Sequence, residues 1–211
     1  MGQDSSTTHR LLGRVAEGDQ ESRGTLLVRH AARLRRMVAL RLDSRLRGRI
    51  DDDDVMQEVF LAASRGLDGY LSGPVAPFFL WLRGIAGNKL LELHRHHLGT
   101  PMRDARREVR LQLAPLPKAT SEALAAQLLG WLTRPSEAAV RAEANQRLQE
   151  ALNGMDPIDR EVLAIRHFEH LTNAEAARVL GVTTAAAGKR YLRALGRLRE
   201  ILASLPGGLE P

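Results

Sequence analysis

Residues 156–202 read DPIDREVLAIRHFEHLTNAEAARVLGVTTAAAGKRYLRALGRLREIL and contain the start and stop signals of three helices. Asp156, followed by proline, opens the first, because Asp caps a helix and Pro is tolerated in its first turn. Thr172 and Glu175 have the spacing of a capping box, and Gly181 can adopt the left-handed conformation that ends a helix. A short helix, a turn with glycine and a long helix predict a helix-turn-helix.

The last of these helices separates an apolar side from a basic side. The residues at helical spacing that are expected to face the core are Ala187, Tyr191, Leu195, Leu198 and Leu202. The basic side holds Lys189, Arg190, Arg193 and Arg197. A basic stripe is often only a solvated face, but after a helix-turn-helix it favours a recognition helix in a DNA major groove. Base edges are then expected to meet Thr184, Ala185 and Lys189, and phosphates to meet the arginines.

Composition agrees with a helical, DNA-binding protein. The chain has 211 residues, a formal net charge of +6, only 4% aromatic residues and no cysteine. Ala, Leu and Arg dominate, and these residues lose little on entering a helix. A basic chain rich in arginine has nucleic acid as its expected partner class. Neither a signal peptide nor an apolar run of about 20 residues is found, so we expect a cytoplasmic protein without a membrane segment.

The chain divides into two helical blocks with a proline-rich segment between them. We therefore predict an all-α fold of two small helical domains joined by a flexible linker. The predicted ranges are 1–98 for the first domain, 99–135 for the linker, 136–205 for the second domain and 206–211 for a frayed tail.

Helix boundaries follow from the apolar pattern and from glycine and proline. In the first domain we expect helices at about His9–Glu17, Gln20–Leu46, from the aspartates at 51–54 to Gly66, and Phe78–Leu98. The stretch GLDGYLSGPVAP, residues 66–77, is predicted to be a loop. Within the linker only Ser121–Leu129 resembles a helix.

Residues 51–60, DDDDVMQEVF, contain a cluster of acidic residues that begins with four aspartates. On a helix, Val55, Met56, Val59 and Phe60 fall on one side, and Asp53, Asp54, Gln57 and Glu58 on the other. Helix capping uses one or two acids, so the four aspartates exceed what initiation needs. A solvated helix start, a docking face for a protein and a carboxylate metal site all remain open at this point. The metal site is disfavoured, because consecutive helical residues point around the axis.

Three stretches together resemble one known family. DREVLAIRHFEHLTNAEAARVLGV at 159–182 is similar to region four of the bacterial sigma-70 family of RNA polymerase sigma factors. DDDDVMQEVFLAA at 51–63 resembles its region two-point-two, and FFLWLRGIAGNKLLELHR at 78–95 its regions two-point-three and two-point-four. The two motif sets occur in the family's order on either side of a linker, and the chain resembles the extracytoplasmic-function (ECF) group. The resemblance implies a sigma factor that binds core RNA polymerase and directs promoter-specific initiation.

The resemblance also implies roles for particular residues. The acidic group, Asp53, Asp54, Gln57 and Glu58, would dock on the β′ clamp helices of the polymerase, with the β subunit as a further contact. Asn88, Lys89 and Arg95 would contact the minus-ten element, and the Gly/Pro loop before Phe78 would help to receive a flipped base. Thr184, Ala185, Lys189, Arg190 and Arg193 would contact the minus-thirty-five element. The implied chain is a monomer when free, with an anti-sigma protein as a candidate partner.

One departure from the family lies in the recognition helix, where the usual lysine is replaced by Gly188. Glycine at this position would permit a close backbone approach.

The alternative function is a stand-alone helix-turn-helix activator or repressor, which explains residues 137–203 but gives the acidic helix no purpose. His94, His96 and His97 lack the H-E-x-x-H spacing of a zinc enzyme. We therefore predict no catalysis, no metal and no cofactor.

Overall fold

The computed structural model describes residues 2–46, 48–74, 76–98, 117–132 and 138–203. All regular elements in these ranges are helical, which confirms the predicted fold class. They are α1 Gly2–Ala16, α2 Gln20–Arg41, α3 Asp52–Ser72, α4 Phe78–Leu98, α5 Ser121–Leu132, α6 Ala138–Asn153, α7 Pro157–Leu163 with a π-helical turn at Ala164–Phe168, α8 Asn173–Leu180 and α9 Thr184–Ala203. None of the described helices combines the length and apolar content that a membrane span requires. The predicted tail and residues 99–116 and 133–135 of the predicted linker lie outside the described residues.

The chain forms two compact units. One comprises Met1–Val38 and Leu42–Pro117, and the other comprises Ala39–Arg41 and Lys118–Pro211. The first contains the acidic helix α3 and the helix α4. The second contains the helix-turn-helix.

In the first unit, α3 and α4 pack face to face. The buried side of α3 consists of Val55, Met56, Val59, Ala63, Leu67 and Tyr70. The fully buried positions of α4 include Leu82, Ala86 and Leu90, which recur every four residues. These periodicities are the ones that the apolar pattern predicted, because one side of each helix must leave water.

Two helix ends differ from the prediction. Helix α2 ends at Arg41 rather than Leu46, because Leu42 is extended and the Asp43 carboxylate accepts a hydrogen bond from the Arg45 N–H at 2.9 Å. Helix α3 continues to Ser72, so the predicted loop at 66–77 is shortened by about two helical turns. Each mid-helix glycine costs about 1 kcal/mol, whereas burying a side chain such as Leu67 stabilises by about 1.5–3 kcal/mol.

The second unit extends into the predicted linker. Helix α5 packs extensively on α6, and Leu124 and Leu128 are buried in the same core cluster as Leu148 of α6 and Leu198 of α9. Ser121–Leu132 is therefore an integral helix of the second unit, longer than the marginal helix predicted there. The sequence shows only short apolar patches between prolines in this segment, so it predicted no more than a marginal helix. The burial of these patches depends on packing against α6, which the sequence does not show.

A buried ion cluster also belongs to the second unit. Arg41 is fully buried, and its Nη2 lies 2.6 Å from Oε1 of Glu169 and also pairs with Glu161. The other carboxylate oxygen of Glu161 accepts the Ala119 N–H at 2.9 Å. Burial alone would lower the pKa of Arg41, but the two carboxylates raise it. The guanidinium is therefore what allows two carboxylates to stay in the core.

Replacing Arg41→Met should strongly destabilise the protein, because it leaves two buried carboxylates without their cation. We expect the free energy of unfolding to fall by about 3–5 kcal/mol, measured by urea denaturation followed by circular dichroism. Arg45→Met is the control, since the side chain of Arg45 is 70% exposed and pairs only with Asp43 in the described region. It should cost less than about 1 kcal/mol. Equal losses for the two variants would contradict the buried ion cluster.

Candidate protein-docking and nucleic-acid interfaces

The start of α3 shows how the aspartate run is used. Asp51 is the N-cap, and its side chain accepts the Asp53 N–H at 3.4 Å. The Asp54 carboxylate accepts the Asp51 N–H in return, also at 3.4 Å, which completes a capping box. Initiation thus engages the carboxylates of Asp51 and Asp54, as the sequence predicted for one or two acids. The Asp53 carboxylate takes no part in the capping box.

The four residues of the predicted docking group are all exposed on α3. Asp53, Asp54, Gln57 and Glu58 face solvent, while Val55, Met56 and Val59 are at most 2% exposed. Phe60 is half-buried. Leu61, which the sequence analysis missed, is 46% exposed and lines a shallow groove with Phe60, Gln57 and Asp53. Its position three and four residues after Glu58 and Gln57 places it on the same face.

Two members of this group form ion pairs at the surface, one with the exposed Arg35 and one with the half-buried Lys89. Arg35 of α2 lies 2.6 Å from Asp53, and Lys89 of α4 lies 3.3 Å from Glu58. Exposed pairs of this kind contribute only about 0–1 kcal/mol. A basic partner surface can therefore exchange with them at little cost. Within the described ranges, no group of three or more His, Asp or Glu side chains is placed to hold a metal ion.

The predicted minus-ten residues on α4 differ in their surroundings. Asn88 and Arg95 are exposed, and Arg95 donates from Nε to the Leu91 carbonyl at 3.3 Å. Lys89 is half-buried between Glu58 and Glu92. Burial lowers the pKa of Lys89, but its hydrogen bonds to the two glutamates outweigh this and raise it. Lys89 therefore stays charged, and its charge is compensated by two carboxylates. Asn88 and Arg95 are the more accessible of the three predicted minus-ten residues.

The aromatic residues near the α3–α4 loop lie in the core. Tyr70, Phe78 and Trp81 are 6%, 3% and 4% exposed and pack on one another with ring centroids 4.9–5.4 Å apart. The Tyr70 hydroxyl donates to the Ala76 carbonyl at 2.9 Å. A Cβ on Gly66 would lie 3.3 Å from the Trp81 ring, so that glycine accommodates the indole. These rings are occupied with packing and are not presented to a nucleic acid base.

The helix-turn-helix in the second unit has the local signals that the sequence predicted. Asp156 caps α7 by accepting the Ile158 N–H at 2.7 Å, and Pro157 follows it at the first position. Thr172 and Glu175 form the capping box of α8. Gly181 ends α8 with φ of 66° and ψ of 33°, the left-handed conformation. These predictions are confirmed.

Helix α9 has a buried side and a basic exposed side. Thr184, Ala185 and Lys189, the predicted base-reading group, are all exposed. Of the predicted inner residues, Ala187, Leu198 and Leu202 are buried, whereas Tyr191 and Leu195 are only partly so. The sequence analysis missed the buried residues Ala194 and Ile201. Both lie at helical spacing from Ala187, but each follows a charged residue in the sequence, so they were not assigned to the apolar side of α9.

Two of the three arginines assigned to phosphate contacts, Arg190 and Arg193, are held by a carboxylate that the sequence analysis did not identify. Asp159 of α7 is 6% exposed. It accepts Arg193 Nε at 2.8 Å and Arg193 Nη2 at 3.0 Å, and it also accepts Arg190 Nη1 at 3.2 Å. The hydrogen bonds from Arg193, followed by those from Arg190, hold the pKa of Asp159 below its usual value despite burial. No local pattern indicates a partner 31–34 residues away.

Gly188 has a structural explanation in its contact with α8. A Cβ at this position would lie 3.0 Å from Nδ2 of Asn173. That amide nitrogen donates to the Thr184 carbonyl in the first turn of α9 at 2.9 Å. The close approach predicted for Gly188 is thus made by a neighbouring side chain that ties α8 to the start of α9.

The Gly188–Asn173 contact predicts coupled substitutions. Gly→Ala inside a helix normally stabilises by about 1 kcal/mol. Gly188→Ala should lack that gain in the wild-type chain, because its Cβ crowds the Asn173 amide, and should recover it in the Asn173→Ala background. Gly196→Ala on the same helix is the control, since no atom lies within 4 Å of its added Cβ. Its effect on the urea midpoint should be the same in both backgrounds. No coupling at Gly188 would refute the contact.

Comparisons with known proteins cover both units. Residues 145–206 match the family model described as "Sigma-70, region 4". The chain is 30% identical over 203 residues to RNA polymerase sigma factor NccH of Alcaligenes xylosoxydans xylosoxydans, covering 95% of this chain and 97% of NccH. It is 31% identical over 159 residues to ECF RNA polymerase sigma factor SigD of Mycobacterium tuberculosis, covering 75% and 66%. The fold resembles the solved structure of CnrH in complex with the cytosolic domain of CnrY, with a TM-score of 0.52, 27% identity and coverage of 92% and 96%.

Proposed function

Because the chain belongs to the ECF group of the sigma-70 family of RNA polymerase sigma factors, we propose that it binds core RNA polymerase and directs promoter-specific transcription initiation. The observation that carries this is the pairing of an exposed acidic face on α3 with an exposed basic helix-turn-helix in the same chain. A stand-alone activator or repressor is not favoured. The alignment with NccH covers 95% of this chain, so it includes both units.

The acidic face of α3 is the proposed docking site for polymerase. In this proposal Asp53, Asp54, Gln57 and Glu58 contact the basic β′ clamp helices, and the β subunit supplies further contacts. Support comes from their exposure and from the burial of the opposite side of α3, which fixes the helix orientation on its own unit. Complementary charge would speed the encounter and fix its register. The ion pairs with Arg35 and Lys89 would exchange for polymerase cations.

Charge reversal on this face tests the docking proposal. Asp53→Lys with Glu58→Lys should weaken binding to core polymerase at least about tenfold, because like charges would face each other. Asp54 is left intact because it belongs to the capping box. Asp68→Lys is the matched control, since Asp68 is also on α3, is 73% exposed and pairs with Arg23. Co-elution with core polymerase is the measurement, and circular dichroism checks helicity. The proposal fails if both variants co-elute equally well.

The minus-ten element is the proposed target of α4. Asn88 and Arg95 are the exposed donors, and Lys89 would join them after leaving its glutamates. Asn can bind adenine through two hydrogen bonds, which makes Asn88 the candidate for base recognition. The buried aromatic cluster implies that strand opening relies on polar groups rather than on stacking against Tyr70 or Trp81.

Asn88→Ala should lower initiation in vitro by about tenfold, within the range expected for losing one base contact. Binding to core polymerase should be unchanged. A promoter with a pre-opened minus-ten region should restore activity only if Asn88 acts in strand opening, and not if it reads a base in the opened strand. His97→Ala is the control, because His97 is exposed on the opposite side of α4. Wild-type initiation by Asn88→Ala would remove this residue from the site.

The minus-thirty-five element is the proposed target of α9. Thr184, Ala185 and Lys189 would reach base edges in the major groove, while Arg190 and Arg193 would contact phosphates. The solved CnrH structure contains the cytosolic domain of CnrY. By that likeness we propose an anti-sigma protein as a further partner of this chain. The proposed function places it in the bacterial cytoplasm, as a monomer when free of its partners.

A further inference from the structure

Asp159 is a buried acid on α7 whose two partners are both on the DNA-facing helix α9. From this arrangement we infer that Asp159 is a positioning residue for promoter recognition: it holds Arg190 and Arg193 in the orientation in which they meet phosphate. The inference rests on the proposed function of α9 and adds a residue outside the helix-turn-helix to its recognition site.

The geometry leaves Arg193 able to bind two anions at once. Its Nε and Nη2 form a two-bond contact with the Asp159 carboxylate. A guanidinium has five N–H groups, so three remain on Arg193, including both on Nη1. The side chain is 63% exposed, and no hydrogen bond to Nη1 is found in the described part of the chain. One edge of the planar group is thus fixed to the protein, and the opposite edge is open to a phosphate.

The charges are compatible with this role. The hydrogen-bonded group of Asp159, Arg190 and Arg193 contains one carboxylate and two guanidiniums and so keeps a positive charge, although the Asp156 carboxylate also acts on Arg193. Arg190 contributes one hydrogen bond to Asp159 and is 30% exposed, which places it nearer the core than Arg193. Asp159 itself is only 6% exposed, so it is held by α7 and does not compete for DNA as a mobile surface acid would.

Arg197, one turn further along α9, shows the contrast. It pairs with Glu200 of the same helix at 2.9 Å, and both side chains are exposed, at 59% and 67%. That pair moves with the helix surface and fixes nothing between α7 and α9. An arginine side chain has much rotamer freedom to lose when it binds phosphate. Asp159 removes that freedom for Arg193 before DNA arrives, and Glu200 cannot do the same for Arg197.

Fixed phosphate contacts would also affect specificity. Phosphate contacts carry no sequence information themselves, but they set the position of a helix on the duplex. With Arg193 anchored at mid-helix, the first turn of α9 meets the base edges in one register. Without the anchor, the same positive charge would bind phosphates in several registers. The ratio of specific to non-specific affinity should therefore depend on Asp159.

The test uses holoenzyme reconstituted from the full chain and core polymerase. Affinity is measured for a promoter fragment and for the same fragment with a scrambled minus-thirty-five element. Asp159→Asn should lower the ratio of these affinities roughly three- to tenfold. Arg193→Lys keeps the charge but cannot form the two-bond contact, so it should lower the ratio equally. The double variant should be no worse than the single variants, because both remove one interaction.

Glu200→Gln is the matched control, because it removes a carboxylate from an arginine of the same helix and should leave the ratio unchanged. An unchanged ratio in Asp159→Asn, with only a lower melting temperature, would overturn the inference. An equal rise of the affinities of Asp159→Asn for both fragments would also overturn it, because Asp159 would then only reduce the positive charge that attracts DNA. If Asp159→Asn does not fold, an unchanged ratio in Arg193→Lys overturns it. A wild-type holoenzyme with no preference for the intact fragment would instead refute the proposed function.

Discussion

A carboxylate that leaves water must find a cation, and this constraint assigns the acids of the chain to different tasks. Asp159, Glu161 and Glu169 are buried, and each is paired with an arginine. The acids of the proposed docking face of α3 are exposed, and their ion pairs with Arg35 and Lys89 lie at the surface. The pairs of Glu161 and Glu169 with the buried Arg41 are costly to break and therefore structural, whereas Asp159 pairs with the exposed Arg193. Exposed pairs exchange easily and are therefore suited to a partner surface.

The acidic helix shows how one segment serves several needs. Its first residues close a capping box, its inner side supplies six buried residues to the first unit, and its outer side presents acid. The orientation of the outer side depends on the inner one, because Val55, Met56 and Val59 can only be buried in one rotation of the helix. The contact between Glu58 and Lys89 further joins the proposed polymerase site to the proposed minus-ten site on α4.

Helix starts with a capping residue were predicted well because their signals are local, whereas α1 begins at Gly2 and not at the predicted His9. The caps at Asp51, Asp156 and Thr172 depend on side chains within three residues of the backbone groups they satisfy. Helix ends were predicted less well. The continuation of α3 through its glycines and the packed helix α5 depend on burial against other helices, which no local pattern shows. Propensity alone therefore gave too long a loop and too long a linker.

By itself, the sequence determined the all-α fold, the helix-turn-helix, the two-sided acidic helix and the family to which the chain belongs. The structural features follow from local signals and from spacing along one helix, where residues three and four apart share a side. The family follows from the resemblance of three stretches to sigma-70 motifs. Only the tertiary structure decided three contacts. Asp159 forms ion pairs with Arg190 and Arg193, Glu58 forms an ion pair with Lys89, and Gly188 leaves space for the Asn173 side chain. Each of these joins residues on different helices, and the distance between such residues depends on how the helices pack.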